Sequence, residues 1–163
     1  MTYIDSHPLR AAFVANVMER FVNQVAEQGD DMLFDAGITF PSRVVSIILL
    51  LGEKKSVSAA DIARELALPH QLVTQRINLL IELGIVSRTE DASDARRKVV
   101  LLTGEGRSQY RRLKQRLALV NQAFEALFEE IGCDLFAAAS RALAALHRSP
   151  ILNRVRSNEG VLA

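Results

Sequence analysis

The stretch from Ser58 to Thr103 constrains this chain's fold more than any other, because two apolar helical faces joined at a proline are followed by two short apolar segments around a charged tip. Ser58 stands where its side-chain oxygen can accept from the free amide three residues on, and Asp61 there answers it and complements the positive helix end. Ile62, Ala63 and Leu66 share one face of this first helix. Leu68-Pro69 closes it and starts the next, since the residue before proline is driven from the helical region and proline suits a first turn. In the second helix Val73, Ile77, Leu80 and Gly84 mark an inner face, with His70, Gln71, Thr74, Gln75 and Asn78 outside. Ile85, Val86 and Thr89 lead into TEDASDARRK, and Val99 to Leu102 return as a second strand. A hairpin is marginal alone, so it must lean on the helices before it. The stretch reads as a helix-turn-helix with a β-hairpin wing.

Two surfaces of that unit carry chemistry. The outer face of the second helix is polar but almost without charge, where a solvated helix is usually laced with Lys and Glu. Gln, Asn, Thr and His can both donate and accept at base edges in a major groove, and the same residues also make an ordinary polar surface. At the hairpin tip stand Arg96, Arg97 and Lys98, with Arg88 at its base and Glu90, Asp91 and Asp94 nearly cancelling them. A plain phosphate patch would not carry three acids. Asp94 instead orients a neighbouring arginine through a bidentate ion pair and leaves another for a minor groove or a phosphate, the alternative being a solvated turn.

Gly84-Ile85-Val86-Ser87-Arg88, then Asp94-Ala95-Arg96, then Leu102-Thr103-Gly104-Glu105-Gly106 resembles, in order and spacing, the pattern of the MarR family of winged helix-turn-helix transcription regulators. The resemblance implies a dimeric DNA-binding protein whose recognition helix enters the major groove while the wing reaches the neighbouring minor groove. Carried over by position, the DNA contacts it implies are His70, Gln71, Thr74, Gln75, Arg88, Arg96, Arg97 and Lys98, with Asp94 orienting the wing. It further implies a small ligand, often aromatic, held between the winged-helix lobe and the dimer arm. Ala95 departs from the family's basic or polar residue and Leu72 from a site often small and polar, so operator preference does not carry over.

The remainder reads as helices around this lobe. From Leu9 to Gln28, begun near Pro8, Leu9, Phe13, Val17, Phe21 and Val25 form one apolar stripe and Val14, Met18 and Val22 a second. One stripe suffices for a surface helix, so two point to cover from both sides, partly by a second chain. Gly29-Asp30-Asp31 stops this helix, residues 32–40 dock as a connector, and Pro41-Ser42 opens another helix through Leu51, while Ser56-Val57 can add an edge strand to the wing. After Thr103, its cap, a long helix carries Tyr110, Leu113, Leu117, Val120, Phe124, Leu127 and Ile131 at spacings of three and four. Gly132 breaks it, and Asp134 caps a further helix with Leu135, Ala139, Ala142, Leu143 and Leu146 inward and Pro150 at its end. The tail beyond docks on a partner through Ile151, Leu152 and Val155, with mobile last residues. The fold class expected is mainly α with a small β-hairpin wing: a winged helix-turn-helix lobe over 41–106 and a helical dimerisation arm from 1–40 and 107–163.

Composition bounds the function. The net charge of +1 over 163 residues denies an overall basic field, so any nucleic-acid affinity is local, and Lys and Arg do concentrate between Arg88 and Arg116. No apolar run reaches membrane-spanning length and the N-terminus lacks a secretory pattern, which reads as cytoplasmic. A single Cys133 allows no internal disulfide and reads as an inert core thiol before it reads as an oxidant sensor. His7, His70 and His147 have no partner at metal-ligand spacing, no loop cradles a phosphate and no nucleophile elbow is present, so neither cofactor, metal nor enzymatic activity is expected. Two functions stay open: a homodimeric repressor on an imperfect palindrome of double-stranded DNA, released by a small ligand, and a winged-helix dimer serving as a protein-interaction adaptor.

Overall fold

The computed structural model describes residues 2–54, 56–90 and 97–162, the last four by their backbone alone. Two compact units divide the chain, Met1–Arg116 and Leu117–Ala163.

The first unit opens with α1 (Tyr3–Ser6) and a 3₁₀ turn at Arg10–Phe13, then α2 (Val14–Asp35). A second 3₁₀ turn at Ser42–Val44 runs into α3 (Val45–Lys54), followed by α4 (Ala59–Glu65) and α5 (His70–Glu82). The antiparallel pair β1 (Val86–Glu90) and β2 (Lys98–Leu102) is in register from Val86 opposite Leu102 to Glu90 opposite Lys98. Val57 bridges Val100 on the outer edge of β2, which realises the expected edge strand with one residue. The core lies where these elements meet: Ile47, Ile48, Leu51, Ile62, Val73, Ile77, Leu80, Ile85, Val86, Val100 and Leu113 are all buried. Each such side chain removed from water contributes roughly 1.5–3 kcal/mol before ordering costs, enough to hold a short hairpin against the helices.

Ser58 caps α4 as expected, its Oγ accepting from the Asp61 amide at 3.2 Å. The helix stops at Leu66 because Ala67 turns left-handed at φ 50°, and Pro69 stands just outside α5, its carbonyl accepting the first helical bond from Val73. Gly84 corrects the expected inner face of α5. It is exposed and beyond the helix, at φ 69°, where glycine meets no Cβ penalty, and the turn lets Ile85 N–H close on Leu80 C=O at 2.9 Å.

The first long helix also differs from its expected bounds. It begins at Val14, after a separate 3₁₀ turn, and runs through Gly29-Asp30-Asp31 to Asp35. Those residues serve tertiary contacts instead of a stop: Asp30 Oδ1 accepts from the Ser42 amide at 2.6 Å, the Ser42 hydroxyl donates to Ala26 C=O at 3.0 Å, and Gly29 lies against the Ser42 side chain. The connector therefore shortens to residues 36–41, anchored by buried Leu33, Ile38 and Phe40.

The last helix of this unit, α6 (Gly104–Ile131), begins here and ends in the second unit. Thr103 caps it, as expected, by accepting from the Gly106 amide at 3.0 Å, while its hydroxyl donates to the carbonyls of Gly84 and Ile85. One turn on, Gln109 is buried at 1% exposure and fully partnered: its Oε1 accepts from the Thr39 amide, and its Nε2 donates to Thr39 Oγ1 and Glu105. A buried amide with every bond made fixes a unique geometry, here pinning the connector to α6.

In the second unit Gly132 ends α6 and Asp134 caps α7 (Leu135–Arg148), its Oδ1 accepting from Ala137 N–H at 2.9 Å. Cys133, expected in the core, is exposed. The tail after Pro150, for which the sequence reading named no element, is α8 (Ile151–Leu162). Pro150 starts it by offering its carbonyl to Asn153 and Arg154, and the Arg154 guanidinium donates back to Ser149 and Ala145 carbonyls, satisfying the end of α7. Among the described residues the expected inner face of α7 stays largely open, with Leu143 60% and Leu146 40% exposed and Leu135 half-buried. Among the described residues no helix is long and apolar enough to cross a membrane.

Candidate nucleic-acid interface

On α5 the buried side (Val73, Ile77, Leu80) faces the core, so the opposite side is presented by the helix period alone. His70, Gln71, Gln75 and Asn78 are exposed there. Thr74 is half-buried and its hydroxyl donates to the His70 carbonyl at 3.0 Å, which spends its proton inside the helix and leaves an acceptor. Arg76 flanks this face, half-buried, and burial first, then the charge of Arg43, lowers it from the ordinary arginine range. His70 and Gln71 stand in the first turn of α5, where unpartnered backbone amides add positive potential.

The wing stands beside α5. Arg88, exposed on β1, donates to Asn78 Oδ1 at 3.0 Å, so the arginine at the wing base is tied to α5. Lys98 begins β2 and is exposed. Arg97, directly before it, pairs with Asp61 of α4. Asp94 and Arg96 lie outside the described residues. The structure thus brings together His70, Gln71, Thr74, Gln75, Arg88, Arg97 and Lys98 on one lobe.

Two partners escaped the sequence reading, Asn78 for Arg88 and Asp61 for Arg97. Asp61 was legible only as a capping residue. Its carboxylate receives the Ser58 hydroxyl at 2.5 Å and Arg64 Nη2 at 2.5 Å as well as Arg97. The Ser58 hydrogen bond above all, then Arg64 and Arg97, holds this carboxyl well below the usual carboxylate range. No group of three or more His, Cys, Asp or Glu side chains suited to a metal ion occurs among the described residues.

A separate groove of about 830 Å³ opens between α3, the wing and the first turns of α6. Leu51, Leu101 and Tyr110 give it apolar walls, and Arg107 and Arg111 line it with positive charge.

Comparison with known proteins places this geometry. Residues 36–97 match the sequence model of the MarR family. The HTH-type transcriptional regulator PapX of Escherichia coli is 27% identical over 131 residues, covering 79% of this chain and 77% of PapX. Among solved structures, the S. aureus MepR–DNA complex superposes with a TM-score of 0.67 at 18% identity, over 82% of this chain and 97% of that one. The PcaV transcriptional regulator of Streptomyces coelicolor, in complex with its natural ligand, gives 0.62 at 20% identity over 89% and 96%. At those identities the two structures establish the winged-helix fold.

Proposed function

We propose, from the premise that this chain is a MarR-family protein through its residues 36–97, that it works as a homodimer and represses nearby genes by binding an imperfect palindrome. The observation that carries the reading is one lobe on which an almost uncharged, donor-and-acceptor helix face stands beside a wing whose arginines are tied down by side chains of α4 and α5. His70, Gln71 and Gln75 reach base edges, Thr74 accepts, and Arg88, Arg97 and Lys98 meet phosphates. Arg96 enters the minor groove, with Asp94 orienting the tip.

Uncovered apolar residues support the second copy. Along α2, Val14, Val17, Met18, Phe21 and Val22 are all exposed, and α7 and α8 leave Leu143, Ile151 and Leu152 in the same condition. A monomer rarely keeps stripes of that extent in water. Residues 1–40 and 107–163 form the dimer arm and 41–106 the reading lobe. A two-fold axis then sets the recognition helices about one helical turn of DNA apart, near 34 Å.

Purified protein is expected to run as a dimer and to select genomic fragments carrying an inverted repeat. Its affinity should fall by about 10³-fold or more between 50 and 200 mM salt if six or more phosphates are neutralised. Arg96→Ala should weaken it further. A single-chain species that enriches no repeat, or binding indifferent to salt, would favour the adaptor function instead.

Release belongs to the same reading. The groove beside the wing has the size and apolar walls of a small-molecule site, and Arg107 and Arg111 suit it to an aromatic carboxylate. A ligand wedged there can act only by preferring a wing position that DNA disfavours. Titrating aromatic carboxylates into the DNA complex should dissociate it, and Arg111→Gln should raise the concentration required about tenfold, the loss of one charge-assisted contact. Equal release from the variant would remove the groove as the effector site.

A further inference from the structure

We propose that Asp61 is the positioning residue of the wing: set in the first turn of α4, its carboxylate holds the Arg97 guanidinium and thereby aims β2 and Lys98 at the DNA backbone beside the recognition helix. The inference deepens the DNA-binding reading and rests on it. A helix start needs an acceptor for its free amides, and Ser58 Oγ already fills that need by accepting from Asp61 N–H. The Asp61 carboxylate is thus released from capping. Its side chain is half-buried, 18% exposed, and both oxygens are occupied, Oδ1 by Arg64 and Oδ2 by the Ser58 hydroxyl and Arg97.

Ser58 orients the acid, and the acid orients the arginine from 36 residues away. A second tie runs beside it, where Val57 and Val100 exchange both backbone hydrogen bonds, at 3.3 and 2.9 Å. The wing is therefore fastened to the start of α4 by a backbone bridge at one point and an ion pair two residues before β2's Val99. An ion pair this accessible adds little to stability. What it supplies is direction, since a guanidinium held by a fixed carboxylate loses less freedom when a phosphate arrives.

A double-mutant cycle on operator affinity tests this with Asp61→Asn, Arg97→Ala and the pair, at one salt concentration. Asp61→Asn should weaken binding about tenfold in the wild-type background and less than about twofold when Arg97 is already alanine. Asp61→Glu should recover part of the loss, because it keeps the charge. Equal losses in both backgrounds, or tighter binding by Asp61→Asn, would overturn the proposal. Hydrogen exchange without DNA supplies an independent arm: the Lys98 amide should exchange faster in Asp61→Asn than in the wild type. Unchanged exchange overturns the tether, whereas a wild type that binds no operator while the tether loosens on substitution defeats the DNA-binding reading alone.

Discussion

Gly106→Ala is expected to destabilise the lobe by about 3 kcal/mol or more, at the upper end of overpacking effects because the obstacle is backbone. A methyl group at this position would sit 2.0 Å from the Ile85 carbonyl oxygen and 3.1 Å from its carbon. Relief by moving Ile85 is costly, since that oxygen accepts from both the amide and the hydroxyl of Thr103. Moving α6 instead breaks the cap from Thr103 Oγ1 to the Gly106 amide. Thermal unfolding followed by circular dichroism should show a drop of about 6–12 °C, taking roughly 2–4 °C per kcal/mol for a chain of this size. Gly104→Ala is the control. Nothing lies within 4 Å of its added methyl, and it stands in the first turn of the same helix, so it should be neutral or slightly stabilising. A comparable loss in both variants would mean that helix geometry, and not the close approach to Ile85, is responsible.

The second large effect concerns specificity. Replacing Gln71 and Gln75 together by alanine should cut affinity for the selected operator by about 10²-fold or more, each bidentate contact to a base edge being worth roughly 1–3 kcal/mol. Affinity for random-sequence DNA should barely change, because neither side chain carries charge and sequence-independent binding comes from phosphates. Lys98→Ala should do the reverse, lowering both affinities by a similar factor and reducing the salt slope by about one. Competition binding with operator and random duplexes separates the two patterns. If the glutamine pair lowered both affinities equally, α5 would be a backbone-contacting helix and the reading of its outer face would fail. Stability should be indifferent to these changes, since Gln71, Gln75 and Lys98 are exposed.

Much of the lobe was legible because its signals are local. A serine three residues before an acid, a proline after an apolar face, and two short apolar segments around a charged tip each act within a few residues. The resulting α4, α5, β1 and β2 occur in that order, with Pro69 and Gly84 falling just outside the ends of α5. The Leu-Thr-x-x-Gly pattern was legible as a wing closure, while its reason was not: Gly106 is needed by a carbonyl 21 positions earlier. The same limit explains the misplaced end of α2. Glycine and aspartate within a helix cost about 1 kcal/mol or less each, and the burial of Leu33 with the Asp30 and Ser42 hydrogen bonds outweighs that. Beyond Pro150, a few apolar residues scattered among polar ones hid a helix that Arg154 stitches to the end of α7.

For the wing the division is clearest. Sequence alone determined that an arginine-tipped hairpin follows a polar helix, since apolar segments, charged tip and helix period are written in neighbouring residues. Only the tertiary structure decided which acid holds Arg97 and which amide holds Arg88. Ion pairs and side-chain hydrogen bonds depend on distances of a few ångströms between elements far apart in the chain, and no spacing along the sequence encodes those distances.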